Sequence, residues 1–434
     1  MLRLSQEVWN IGVVSTTLLL VFTAVGTAIS LENSTLADSA SSSSHYIYLS
    51  SLSFSLFALS SLPATLSVPW LRTFLSYKTL VVITTILHVP FYLGLLFLNP
   101  VGILIGSAVT GAADAVIDVV IQDFVTCISG STKLARNLTY YMLLVNFNVV
   151  LSSVVSFLCL GTGKEVTMDS ENRIKIYGAC VGVTLFAALL AFCGMKTPVS
   201  EGHSAAVISV EDVQYNRPDS VPTPTIPWYS RYLAFLKEPA VQGIGVSSVA
   251  SGMLFTYPLI LLTCIQNTYQ DELLIPIFGF VLGGSVCLSN AVFHKLATRY
   301  SYRFLTHLLT WLYFTWLLLV LSVFPADSLS FPLLSLGSWV VYPLSALIGT
   351  SLSFNKILLV VTAGRISTQP RVMHGLKPAS LFSWSYAAFS VSSAALFALS
   401  PHINLYLMVL LSFIGLLAQY SAYLNNLLFY FSYT

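Results

Sequence analysis

Asp114, Asp118 and Asp123 interrupt an otherwise apolar stretch from Val101 to Phe124. A charged side chain at the centre of a bilayer costs at least about 2.5 kcal/mol on insertion scales, so such residues face a bundle interior or a water-filled path. Asp114 and Asp118 are four residues apart, hence one turn from each other on one face of a helix. Two like charges so placed make a protonatable pair, suited to a proton, a cation or a polar solute. Asp123 falls near the end of the stretch, where a carboxylate is cheaply solvated, and is a gating candidate together with Arg365. Lys356 is the one lysine inside a predicted span, and an anionic solute needs such a cation. An alternative placement starts its helix at Pro343 and lets Lys356 snorkel to the cytoplasmic interface.

Other polar residues in apolar stretches read as packing groups. His88 and His307 are expected to be satisfied core histidines, and Asn146, Asn148 and Asn290 to hydrogen-bond between helices. Gly102-x-x-x-Gly106, Gly279-x-x-x-Gly283 and Gly111 mark close helix approach. The six cysteines stand singly in or beside apolar segments and read as core-filling thiols. No nucleophile–base pair, metal-spaced His/Cys cluster or glycine-rich phosphate loop stands out, so neither an enzyme nor a metal or other cofactor is expected.

These residues are positioned by membrane helices. Of 434 residues, 56% are hydrophobic and only 8% charged, too little polar surface for a soluble globule of this size. Apolar windows of about 20 residues recur at 9–31, 46–70, 79–98, 101–124, 140–161, 176–195, 241–264, 274–293, 304–324, 332–361, 378–400 and 405–430. The first reads as a retained helix and not a cleaved signal peptide. The long polar break at 196–238, with Pro218, Pro222, Pro224 and Pro227, splits the twelve windows into halves, 1–195 and 239–434. Trp9, Trp70 and Trp228 fall at predicted interfaces as belt anchors, whereas Trp311, Trp316, Trp384 and Tyr386 lie inside spans and read as core.

The basic residues orient the chain. With a cytoplasmic N-terminus, fifteen of the nineteen Lys and Arg fall in cytoplasmic segments and three (Lys164, Arg173, Lys175) fall outside. The linker 196–238 is then cytoplasmic. Asn33-Ser34-Thr35 is a glycosylation sequon on the external side, and Asn137-Leu138-Thr139 lies on the cytoplasmic side, where it stays unmodified. A net charge of +2 over this length suggests neither nucleic acid nor an acidic protein as partner, and the apolar windows make the lipid bilayer the surroundings.

The layout of two six-helix halves resembles the major facilitator superfamily, an all-α membrane fold of twelve transmembrane helices in two pseudo-symmetric bundles. That resemblance implies that helices 1, 4, 7 and 10 line a central cavity, which places Asp114 and Asp118 on one cavity helix and Lys356 on its symmetry mate. The stretch Ala113-Asp114-Ala115-Val116-Ile117-Asp118-Val119-Val120-Ile121-Gln122-Asp123 is similar to the fourth-helix signature of the folate-biopterin transporter family. Phe235-Leu236-Lys237-Glu238-Pro239-Ala240 and Pro378-Ala379-Ser380-Leu381-Phe382 resemble that family's entries to helices seven and eleven. Leu18 to Ala24 is similar to the first helix of the Unc-ninety-three-like branch. The first likeness implies a secondary transporter of a small organic solute, pterin-like, folate-like or otherwise anionic, coupled to protons through Asp114 and Asp118. The second implies a non-transporting accessory protein.

Overall fold

The computed structural model describes residues 6–40, 49–160, 170–196, 228–269, 274–323, 337–367, 369–374, 376–399 and 405–424. Among these the chain is helical throughout: α1 Gln6–Ala40, α2 Leu49–Phe74, α3 Tyr77–Ile86, α4 Val89–Leu96, α5 Pro100–Leu160, α6 Ser170–Gly194, α7 Trp228–Lys237, α8 Pro239–Tyr269, α9 Leu274–Arg299, α10 Tyr302–Val323, α11 Val341–Ser367, α12 Pro370–Met373, α13 Ala379–Leu399 and α14 Leu405–Ala422. Among the described residues nine segments are long and apolar enough to cross a membrane. Their outer faces carry large apolar side chains such as Phe97, Leu158, Leu288 and Trp311. In water such a surface is untenable, and in lipid it is the solvated face. The protein is an integral, multi-pass membrane protein.

Three elements depart from the windows read in the sequence. The third window is broken into α3 and α4, because Pro90 has no N–H and its ring opposes the carbonyl four residues back. The fourth and fifth windows run into a single helical assignment, α5, that doubles back on itself. Tyr141 Oη lies 3.4 Å from Asp118 Oδ1, although a straight helix would hold residues 23 apart about 34 Å from each other. The bend falls between 129 and 137, where Asn137 Nδ2 donates to Ser129 Oγ at 2.9 Å. Near the end of the polar break Trp228–Lys237 form α7, whose Phe235 is fully buried; residues 197–227 lie outside the described residues.

Close approach is made where side chains are absent. A Cβ on Gly111 of α5 would collide with the Phe57 carbonyl of α2, and one on Gly283 of α9 would lie 2.8 Å from the Val150 nitrogen of α5. These glycines lie on the small-residue motifs read from the sequence. Across the halves, α2 meets α13, with Phe54 and Phe397 stacked at 5.7 Å, and the second arm of α5 meets α9. Counted as spans, the pairs are two with eleven and five with eight. Exchanging each span with its counterpart in the other half, two with eight and five with eleven, converts one pair into the other, as a pseudo-two-fold axis between bundles requires.

Candidate functional site

The carboxylates lie on the first arm of α5, where residues 115–126 are buried on every side. A helix covered all round is a central element. The partner that covers it from the other half is α11, itself buried from Ile357 to Gly364. Leu134 beside Gly364 continues this contact toward the bend of α5.

Asp118 and Lys356 are brought together. Lys356 Nζ lies 3.8 Å from Asp118 Oδ2, with the lysine side chain 44% exposed and the carboxylate 7%. Gln122 Nε2 donates to the same oxygen at 3.0 Å and Tyr141 Oη to Oδ1 at 3.4 Å. Lys356 stands in the body of α11, which runs on to Ser367, and not at its end. Tyr386 of α13 is within electrostatic reach of both Asp118 and Asp114.

Asp114 has a different partner, which sequence reading assigned to packing. Nε2 of His88 lies 2.6 Å from Asp114 Oδ1, and its Nδ1 lies 2.8 Å from the Thr84 carbonyl. Since a ring nitrogen facing a carbonyl must carry the proton, Nδ1–H donates to Thr84. Nε2 then donates to Asp114 only when the ring is the imidazolium. The break that separates α3 from α4 puts His88 at the cap of α4 and lets its ring reach α5. The proline two residues on was the available signal.

Asp123 is buried rather than solvated at an interface. Tyr77 Oη donates to its Oδ2 at 2.8 Å, Arg72 Nε approaches the same oxygen at 3.9 Å, and the Arg72 guanidinium sits 3.3 Å from the Tyr77 ring centroid. Arg365 lies over the Tyr302 ring at 4.7 Å. His307 meets Tyr420 Oη at 2.9 Å. Asn290 donates to the Met142 carbonyl at 3.2 Å, a polar contact from α9 to the other half. Trp384 packs over Gly245. Of the cysteines, Cys180 is buried but Cys127 and Cys193 are exposed, so core filling describes only part of the set; the side chain of Cys264 is outside the described residues.

A further buried carboxyl was not singled out in the sequence. Glu32, just past the end of the first window, is fully buried within α1. Among the described residues no group of three His, Cys, Asp or Glu is gathered as a metal site would require.

No family model matches the chain, and no curated protein matches it in sequence. Among solved structures it is similar to the major facilitator superfamily transporter FucP in the outward conformation, with a TM-score of 0.64 over 96% of this chain and 98% of that one. At 12% identity the likeness is one of fold. The chain therefore has the major facilitator superfamily fold, two pseudo-symmetric bundles of six transmembrane helices, with the Asp118–Lys356 contact bridging them.

Proposed function

We propose that this protein is a secondary active transporter that moves a small organic anion by alternating access, coupled to protons through Asp114 and Asp118. Residues 196–238 then serve as the linker on the cytoplasmic side of two bundles, 1–195 and 239–434. The observation that carries the reading is the Lys356–Asp118 contact of 3.8 Å. A pair with one partner nearly half exposed contributes about 1 kcal/mol or less, so a competing anion can break it. The anion takes Lys356, and Asp118, left with Tyr141 and Gln122, accepts a proton in place of the lost cation. Solute and proton load together, and the reverse exchange on the other side releases both. Tyr141 and Tyr386 beside the pair suit a planar solute, and the similarity of residues 113–123 to the folate-biopterin signature makes pterins and folates the first class to try.

The test is uptake into proteoliposomes with and without an inward proton gradient, using pterins, folates, sugars and amino acids in turn. Gradient-driven uptake of an anion, lost in Lys356→Ala, is expected. If no solute of any class moves through folded protein, the accessory-protein reading replaces this one.

A further inference from the structure

Glu32 plays no part in the site above. It is 0% exposed, and neither carboxylate oxygen makes a hydrogen bond of ordinary geometry. The Ser53 hydroxyl of α2 faces it, but that hydroxyl is engaged with Ser107 Oγ of α5 at 2.6 Å. From α6, Tyr177 lies within electrostatic reach, with its Oη paired to Thr35 Oγ1 at 2.6 Å, and Arg173 lies within reach of Tyr177. Thus hydroxyls surround the carboxyl, and no cation is in salt-bridge contact with it among the described residues.

An ionised carboxylate enclosed in this way costs several kcal/mol, and the ordinary escape is to hold a proton. The enclosure has a further property. Ser107, Asp114, Asp118 and Gln122 recur on α5 at intervals of seven, four and four, so they share one face. Glu32 stands beside the Ser107 end of that row, about 10 Å along the axis from Asp114 and at the end away from the α5 bend.

We infer that Glu32 is a proton-binding site in its own right, a neutral carboxylic acid while enclosed and the outer station of the polar row that ends at the Lys356 pair. Its proton comes from bulk water on the non-cytoplasmic side and returns to water when the helices around Ser53 and Tyr177 separate. The coupling role rests on the proposed transport; the binding of the proton does not.

Infrared difference spectroscopy on the purified full chain, titrated with pH and without solute, tests this. At neutral pH a protonated-carboxyl stretch is expected that disappears in Glu32→Gln, persists in Asp118→Asn and returns, displaced in frequency, in Glu32→Asp. The glutamine keeps the shape of the neutral acid, and Glu32→Asp guards against a folding artefact. The same band in wild type and a folded Glu32→Gln overturns the inference. Failure of all uptake in proteoliposomes would count against transport while leaving this spectrum to stand or fall alone.

Discussion

Lys356 of α11 and Asp118 of α5 face each other across the boundary between the bundles, 3.8 Å apart, one half-exposed and the other buried. Both ends of this contact belong to helices that the pseudo-two-fold axis exchanges, so under the proposed alternating access it changes as the bundles rock. Lys356→Ala is expected to cost folding about 1 kcal/mol or less while lowering uptake at least about tenfold, since the lost group acts on the solute more than on the fold. The paired reversal Asp118→Lys, Lys356→Asp should recover expression but not proton-driven uptake. A Lys356→Ala protein with an unaltered rate and pH profile would contradict the role given to this lysine.

The His88–Asp114 pair is the more structural of the two. His88 is fully buried and its two ring nitrogens are both engaged, so His88→Ala strands a carboxylate and frees the Thr84 carbonyl. Leaving one partner of a buried hydrogen bond unsatisfied costs about 1–3 kcal/mol. Thermal unfolding in detergent should show this as a clear loss, partly restored in the double variant His88→Ala, Asp114→Ala, which removes the stranded group. Equal losses in the single and double variants would mean that the ring matters for packing alone.

Gly111 supplies a test of the α2–α5 contact. A side chain there meets the Phe57 carbonyl, which is backbone and cannot rotate away. Gly111→Val should destabilise by about 1–3 kcal/mol or more through overpacking, whereas Gly178→Ala in α6, with open space at its Cβ, should hold or raise thermal stability.

The membrane helices and the two-bundle layout were legible because apolar length is a strong, local signal that the bilayer enforces. Asp114, Asp118 and Lys356 stood out for the same reason, as charges where charge is costly. His88 did not, because nothing in a run of apolar residues says which face a single histidine takes. Its partner is set by the break ahead of Pro90 and by the packing of α4 on α5. Glu32 escaped because hydropathy ends the first window at residue 31, whereas α1 continues to Ala40 and carries the carboxyl inward. The burial of Asp123 was equally hidden, since it depends on Tyr77 and Arg72 arriving from another helix pair.

The orientation expected from the Lys/Arg bias has a direct test. Lys133, near the bend of α5, and Glu171, in the first turn of α6, have exposed side chains that the Lys/Arg bias assigns to opposite sides. Single cysteines at these positions in a cysteine-free background should label with a membrane-impermeant reagent only from the cytoplasm for Lys133→Cys and only from outside for Glu171→Cys. Labelling of both from one side would overturn the topology.

The last prediction concerns Asp123 as a gate. Its carboxylate is buried, receives a hydrogen bond from Tyr77 at 2.8 Å and has Arg72 Nε at 3.9 Å, the guanidinium lying over the Tyr77 ring. Lys377, two residues before α13, is within electrostatic reach from the other half. Leu134, near the bend of α5, is buried against Gly364 of α11. If the Asp123 cluster is the gate, Arg72→Ala removes the nearer cation and its stack on Tyr77, and the closed arrangement should lose about 1–2 kcal/mol, or about five- to thirtyfold in the open-to-closed ratio. The readout is a cysteine at Leu134 in a cysteine-free background, whose labelling rate should rise by about that factor in Arg72→Ala and again in Asp123→Asn. Arg365→Ala, which removes a cation seated over Tyr302 within its own half, should change the rate less. If Arg365→Ala opens the site and Arg72→Ala does not, the gate belongs to α11 and not to the Asp123 cluster.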